Sequence, residues 1–415
     1  MAVHDRSFTG NKPVYLAAQM KWQALKKHFW GKFAKFNTPG KTVIAKPGNE
    51  PQPIQSPIVM QHELTRRMGD VMEIPLLRNL ENLPTIGMTQ LAGHEELQKI
   101  NHVRVPIDIV RTAVKPQDGV LSTQTTKDLQ LLKRARPQLL RHYAETEEYL
   151  GASYGFYYGF SWNVLQSSRF SGNNQNIKAV SHPHVFIAGK GKVSYGVSNY
   201  PGTAGYETQI GTDITNMVDT NVFDTQYLSG LKAHEQVMRT DPLIMKDGNP
   251  LWLIVAHPYQ ISTLEADEKF RNTVAQTHAI QLAKDNPLLV GCKYIWGGFA
   301  IFQSDTAVWP VSVSGGKPVW GPTTLTNLKS FKNYSSYNKF AAILLGNNAM
   351  FKATGQALEF KKRMDDYDEI IGIAYRVVEG YSRGDFWNED DGTRGDNLVN
   401  DGSAVLITHA EAPSM

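Results

Sequence analysis

Residues 69–114 read GDVMEIPLLRNLENLPTIGMTQLAGHEELQKINHVRVPIDIVRTAV, and the reading of this stretch decides the fold. Its second half alternates. Val103, Val105, Ile107 and Ile109 fall on one face, with Arg104, Pro106, Asp108 and Val110 on the other. That is the period of a half-buried strand. Pro106 has no backbone N–H, so the strand should be an edge or carry a bulge there. The first half, Val71 to Leu80, is strand-like with Pro75 inside it, and a polar tip, Glu81 to Glu96, follows with Pro84, Gly87 and Gly93. The whole reads as a long β-hairpin arm. An isolated two-stranded hairpin is marginal in water. The arm therefore needs a surface, either the rest of this chain or a second copy of it.

At 415 residues the chain can bury a large core, in two or three domains. No run of about 18 apolar residues is present, so no transmembrane helix is expected. The first residues lack a secretory apolar core. A single cysteine, Cys292, excludes an internal disulfide framework and a cysteine-based zinc cluster, and reads as a buried structural thiol. The expected compartment of synthesis is a reducing cytosol. Net charge is only +4 but is unevenly placed. Residues 1–50 hold nine Lys/Arg against two acids, a balance of +7, and residues 364–401 hold eleven acids against three Arg, a balance of −8. A basic arm of this kind can face a polyanion or an acidic segment of another copy.

Working outward from the hairpin, residues 1–68 show little core pattern, apart from Trp22, Leu25, Phe29, Trp30 and Phe33 at roughly helical spacing within Tyr15 to Phe36. The Pro/Gly-rich connector Thr38 to Pro57 should run extended. Residues 122–167 read as a long helix, or two joined, with Leu129, Leu132, Ala135, Leu139, Tyr143 and Leu150 as the apolar stripe and a kink at Pro137. Gly151, Gly155 and Gly159 permit close packing there. Residues 168–245, rich in Gly, Asn and Ser, read as irregular β structure and loops. Leu251–Ala256 and Phe340–Leu345 are continuous apolar runs, the pattern of fully buried strands. Pro258 opens helical segments reaching about Lys284, strands resume near Tyr294–Phe302, and a short helix is expected between Asn348 and Gly355. Ile371–Val377 and Ala404–Thr408 alternate as strands around an acidic loop. Helices and strands are segregated, which defines an α+β class.

No catalytic constellation stands out. Gly380-Tyr381-Ser382-Arg383-Gly384 matches a nucleophile elbow, with acids and His409 downstream. That elbow needs a helix after it, and the following residues are turn-like. His182-Pro183-His184 has no obvious third metal ligand. Glu389, Asp390, Asp391, Asp396 and Asp401 do not have the spacing of a calcium loop. No cofactor and no metal site are expected.

The order of parts carries more. Gly69-Asp70 opens the hairpin, Leu91-Ala92-Gly93-His94-Glu95-Glu96-Leu97 forms its tip, and Val105-Pro106-Ile107-Asp108 leads into Arg111-Thr112-Ala113-Val114. His257-Pro258-Tyr259-Gln260 and Leu344-Leu345-Gly346-Asn347-Asn348-Ala349 come later. Across most of residues 60–410 this set resembles the major capsid proteins of tailed phages with the Hong Kong 97-type fold, and within them the family typified by the podophage N-four coat. Residues 1–60 and 168–245 match weakly.

The resemblance implies an N-terminal arm (1–68), an extended loop over a neighbouring subunit (69–114) and a peripheral domain (115–249) with a spine helix at 122–167. It further implies an axial domain (250–363) and return strands to the peripheral domain (364–415). It implies a shell subunit forming pentamers and hexamers of an icosahedral head around double-stranded DNA, not an enzyme. It places the protein in the virion, after synthesis in the bacterial host cytoplasm, without membrane contact. Its partners would be itself, a portal, a decoration protein and a scaffolding protein, the last a separate chain because no long charged helical prodomain is visible. Val103, Val105, Ile107, Ile109, Leu91, Glu95 and Glu96 are the expected intersubunit contacts. Lys26, Lys27, Lys32 and Lys35 would face DNA or a neighbour. The other readings are an encapsulin-like shell, a tail component, or a serine hydrolase using Ser382.

Overall fold

The computed structural model describes residues 29–37, 56–61, 71–77, 100–115, 131–159, 182–192, 204–238, 242–244, 250–276, 291–321, 337–365, 370–387, 398–399 and 402–410. In chain order the first strands are β1 (Ala34–Asn37), β2 (Ile58–Gln61), β3 (Val71–Leu77), β4 (Ile100–Pro106) and β5 (Asp108–Val114). Helix α1 (Leu131–Thr146) passes through a π-helical turn, Glu147–Ala152, into α2 (Ser153–Tyr157). Then come β6 (Val185–Ile187), β7 (Gly191–Lys192), α3 (Ala204–Thr215), α4 (Thr225–Met238), β8 (Leu243–Ile244) and β9 (Pro250–Ala256). Helices α5 (Pro258–Ala266) and α6 (Glu268–Gln276) precede β10 (Tyr294–Trp296), β11 (Phe299–Gln303), β12 (Trp309–Ser314), β13 (Lys317–Trp320) and β14 (Lys339–Leu345). Two long strands, β15 (Met350–Asp365) and β16 (Ile370–Arg383), are followed by β17 (Phe386–Trp387), β18 (Leu398–Val399) and β19 (Ser403–His409).

Two sheets organise these elements. The larger has β9, β14 and β19 at its centre, with β11 and β10 beyond β9 and β6 and β7 beyond β19. Both apolar runs, Leu251–Ala256 and Phe340–Leu345, are buried throughout, because helices cover both faces of their sheet. Side chains alternate between those faces. Leu253, Val255, Ile343, Leu345, Val405 and Ile407 meet α3 and the π turn in one core. Ile254, Ala256, Ala342, Leu344, Ala404 and Leu406 meet α4, α5 and α6 in a second. Fully burying one such side chain contributes roughly 1.5–3 kcal/mol, so this double-covered sheet is a major source of stability.

The smaller sheet runs β1-β2-β15-β16-β5. Its face receives α1 through Ala135, Leu139 and Tyr143, which pack on Leu358, Ile373, Tyr375 and Val377. The expected stripe is thus correct at these three positions. Helix α1 continues through Pro137.

Several expectations are corrected. The segment expected to be irregular contains two helices of 12 and 14 residues, α3 and α4. Tyr206, Ile210 and Ile214 in α3 are fully buried at i, i+4, i+8 spacing, and the Asp224 side chain accepts the Tyr227 N–H at the start of α4. The helix expected after Asn348 is strand β15, because Met350–Ala353 are held between β2 and β16; tertiary pairing overrides the helix propensity of Ala, Met and Lys. Phe29–Lys32 is a 3-10 turn, and its Trp30, with Phe33 beyond it, enters the main core; the rest of the expected helical stretch, 15–28, lies outside the described residues. Strand β15 runs past residue 363 to Asp365 within the smaller sheet, and β6 and β19 both lie in the larger one. Cys292 is half-buried rather than buried, and its thiol donates to the Tyr294 carbonyl at 2.9 Å.

Candidate assembly site

The hairpin is real at its base. β3 and β4 pair antiparallel, from Val71 opposite Pro106 to Leu77 opposite Ile100, as their own two-stranded sheet. The proline rule locates its end. Pairing within the hairpin stops at Pro106, Ile107 lies outside any strand, and β5 turns away to pair with β16. The returning limb is therefore two strands in two sheets, not one.

This corner sits hard against the smaller sheet. At Gly380 of β16 a Cβ would lie 1.9 Å from the Pro106 carbonyl oxygen. Only glycine lets the two backbones approach this closely. Met72, Ile74, Val103, Val105 and Ile107 form one buried cluster with Phe351 and Ala353 of β15. Val103 and Val105 have no exposed surface, and Ile107 is 5% exposed. These three were expected to touch a neighbour, and the structure corrects that: their alternation marks contact between the hairpin base and its own chain. Ile109, on β5, is 42% exposed, and Val114 on the same strand is 38% exposed. Among the described strands β5 is the outer edge of its sheet. Leu91, Glu95, Glu96, Lys26 and Lys27 lie outside the described residues, as does the acidic loop 389–397. Lys32 ends the 3-10 turn and Lys35 pairs with Val59 in register.

Beneath the corner lies a charged cluster that the sequence reading missed. Lys352 on β15 pairs with Glu147 of the π turn and, at 3.3 Å, with Glu379 of β16, with all three side chains buried. The Tyr381 hydroxyl donates to Glu147 Oε2 at 2.5 Å and accepts from Lys352 Nζ at 2.8 Å. The Tyr143 hydroxyl lies 2.6 Å from Glu147 Oε1 and 2.9 Å from Glu379 Oε2. Burial pulls Lys352 toward neutrality, but the charges of Glu147 and Glu379 outweigh it and its pKa is raised. Burial, then the two carboxylates, push Tyr143 and Tyr381 well above the ordinary phenol value. A signal was available: Ala135, Leu139 and Tyr143 step by four, and Glu147 is the next step, an acid on an apolar stripe. π turns inside α-helices commonly mark functional positions.

Tyr381 also explains two glycines. A Cβ at Gly151 or Gly155 would lie 2.7 or 2.8 Å from its side chain, so the helix can close onto β16 only through glycine. Arg383, fully buried, then donates to the Phe156 carbonyl at 3.0 Å and pairs with Asp385 at 2.5 Å. It closes the C-terminal end of the helix, where carbonyls lack intrahelical donors.

The hydrolase motif dissolves into this architecture. Ser382 is buried in β16 and its hydroxyl donates to the Gly159 carbonyl at 3.1 Å. Strand β17 stands where the elbow's helix would be, and His409 lies 3.2 Å from Asp219. His182 is fully buried, with Nε2 at 3.0 Å from the Ser403 hydroxyl. Among the described residues no cluster of His, Cys, Asp and Glu could hold a metal ion. No described helix is long and apolar enough to cross a membrane.

A two-sheet α+β body, with helix α1 laid on the smaller sheet and a hairpin base clamped beside it, is the architecture of tailed-phage shell subunits. The chain belongs to the phage capsid protein family, whose family model matches residues 50–412. The capsid of Ralstonia phage GP4 is similar in fold, with a TM-score of 0.58 at 17% identity over 87% of this chain and 89% of that one. The cyanophage Pam1 capsid gives 0.54 at 14% identity over 85% and 89%. The head of Helicobacter pylori bacteriophage KHP40 gives 0.53 at 12% identity over 93% and 91%. No curated protein sequence matches. The fold is thus the Hong Kong 97 type. The protein is a structural component of the virion, a major capsid protein that associates with copies of itself into the icosahedral head shell.

Proposed function

We propose that the subunits close into pentamers and hexamers through heterologous contacts made by the hairpin arm, with no catalytic step. Heterologous contacts that close by rotation generate rings. The observation that carries this reading is the fixed corner at Pro106–Ile107, wedged against Gly380 and Phe351. A clamped base makes the hairpin a lever whose direction is set by its own body. Contact then falls to the segment around Leu91, Glu95 and Glu96 and to the exposed edge at Ile109. Permanent assemblies bury on the order of 2,000 Å² or more per interface, an area a long arm can supply.

The basic stretch with Lys26, Lys27, Lys32 and Lys35 offsets phosphate charge of packaged double-stranded DNA without reading sequence, or pairs with the acidic 364–401 segment of a neighbour. A scaffolding protein, a portal and a decoration protein complete the partners. Synthesis takes place in the host cytoplasm. The segments 115–249, 250–363 and 364–415 divide peripheral from axial roles. Replacing residues 80–100 with a short Gly/Ser turn tests the reading. The subunit should stay folded, because Val103, Val105 and Ile107 keep their partners, yet negative-stain microscopy should find no stable shells. Shells of normal thermal stability from that variant would refute the arm's role.

A further inference from the structure

The ion pair around Lys352 also has the parts of a reacting pair. A primary amine and two carboxyl groups that both contact it are enclosed together, and side-chain hydroxyls are placed on the first carboxyl's two oxygens. We propose that Lys352 and Glu147 condense spontaneously into an intrachain isopeptide bond, with Glu379 as the proton carrier.

The contacts support the deprotonation and the attack. Lys352 Nζ touches Glu147 Oε2, so the carboxyl carbon is one bond further. That is near the approach distance of about 3–3.5 Å for a productive attack. Glu379 Oε2 lies 3.3 Å from Nζ and takes a proton from the ammonium. The freed lone pair forms the Nζ–Cδ bond. Negative charge develops on Glu147 Oε1, 2.6 Å from the Tyr143 hydroxyl, which stabilises it as a preorganised donor. The tetrahedral centre collapses by breaking the Cδ–Oε2 bond. Oε2 leaves as water with the two protons that the nitrogen gives up, both carried by Glu379. Ammonium plus carboxylate becomes amide plus water, so atoms and charge balance without any outside reagent.

Condensation is unfavourable in water, but two features reverse that here. The reactants are held in contact, where effective molarities reach about 10⁵–10⁸ M. The site is also dry, with side chains 1%, 2% and 6% exposed for Lys352, Glu147 and Glu379, so the expelled water has no ready route back. A low-dielectric site further favours a neutral amide over two buried charges. The bond would join the π turn to β15 across 205 residues of sequence. It would pin the helix to the sheet that bears the hairpin corner.

Intact-mass measurement of the denatured protein from assembled shells tests this directly. The expected mass is one water below that of the unlinked chain. Trypsin should fail to cut after Lys352, and a branched peptide should join the segments holding Glu147 and Lys352. The Glu147→Gln variant should lose ammonia instead and reach the same product, and Glu379→Gln should leave the chain unlinked. A wild-type chain of full mass that trypsin cuts after Lys352 overturns the proposal, whatever the variants do. Covalent dimers on a denaturing gel, with Lys352 joined to another copy, would overturn the intrachain assignment.

Discussion

Replacing Gly380 with alanine puts the hairpin corner under direct test. The new methyl carbon would stand 1.9 Å from the Pro106 carbonyl oxygen, 3.0 Å from its carbon and 3.2 Å from the Ile107 Cα. Ordinary contact begins near 3.4 Å, so the two backbones must part by about 1.5 Å. None of the obstructing atoms belongs to a flexible side chain. The separation must open the β5–β16 register or lift Ile107 out of its cluster. Overpacking of this kind costs about 1–3 kcal/mol, and the backbone obstacle places Gly380→Ala at the upper end. Unfolding entropy for 415 residues is about 0.9 kcal/mol per kelvin, so the melting temperature should fall by only about 2–3 °C. Assembly should suffer far more, because a tilt at the base is magnified along the arm. Urea unfolding of the subunit and sedimentation of assembled particles give the two readouts. Gly230→Ala is the control: it lies in α4 with no atom within 4 Å of the added methyl, and should stabilise by up to about 1 kcal/mol. A Gly380→Ala subunit within about 0.5 kcal/mol of the parent that still forms normal shells would show that the corner is not fixed.

Arg383→Met should cost about 3–5 kcal/mol, since it strips a buried guanidinium from Asp385 and from the helix-end carbonyl of Phe156. Arg383→Lys should recover only part of it, because an ammonium lacks the planar fork that serves both partners; full recovery in urea titrations would contradict this. Acid should weaken the fold through His257, which burial against Phe340 depresses to about 4. Unfolded histidine titrates near 6.5, so the unfolded chain binds the extra proton first. This contribution is complete above about pH 6.5 and is lost as the pH falls toward 4, reaching about 3 kcal/mol. His182, also depressed by burial, adds in the same direction. His257→Asn keeps an oxygen to cap α5, and its urea midpoint should depend less on pH over that range; an unchanged slope would clear His257.

The sequence was most legible where one physical rule acted alone. Continuous apolar runs at 251–256 and 340–345 read as buried strands, and Pro106 read as an edge or a bulge, where the structure ends a pairing. The His257–Gln260 stretch became a reciprocal cap, with His257 accepting from the Tyr259 N–H and Gln260 accepting from the His257 N–H. Legibility failed where long-range contacts decide. Alternation fixes which residues share a face but not what covers that face, so Val103 and Val105 pointed equally well to a neighbour or to Phe351. Met350–Gly355 has a helix-forming composition, and only strands 58–61 and 370–383 make it β. Lys352, Glu147 and Glu379 stand far apart in sequence: the step from Tyr143 to Glu147 marks one acid on an apolar stripe, but no local pattern brings the other two charges to it.

Strand β19 lies between β14 and β6 in the middle of the larger sheet, pairing with β14 along its whole length, from Lys339 opposite His409 to Leu345 opposite Ser403. Translation delivers β6 and β14 long before it. Until residue 409 has been made, β14 has an open flank and the two cores cannot close. A ribosome-bound or truncated chain therefore lacks the body against which the hairpin corner is set. Such a chain exposes the kind of apolar edge that invites aggregation. A chain cut before Ser403 would thus lack the strand that joins β14 to β6 and contributes Val405, Ile407, Ala404 and Leu406 to the two cores.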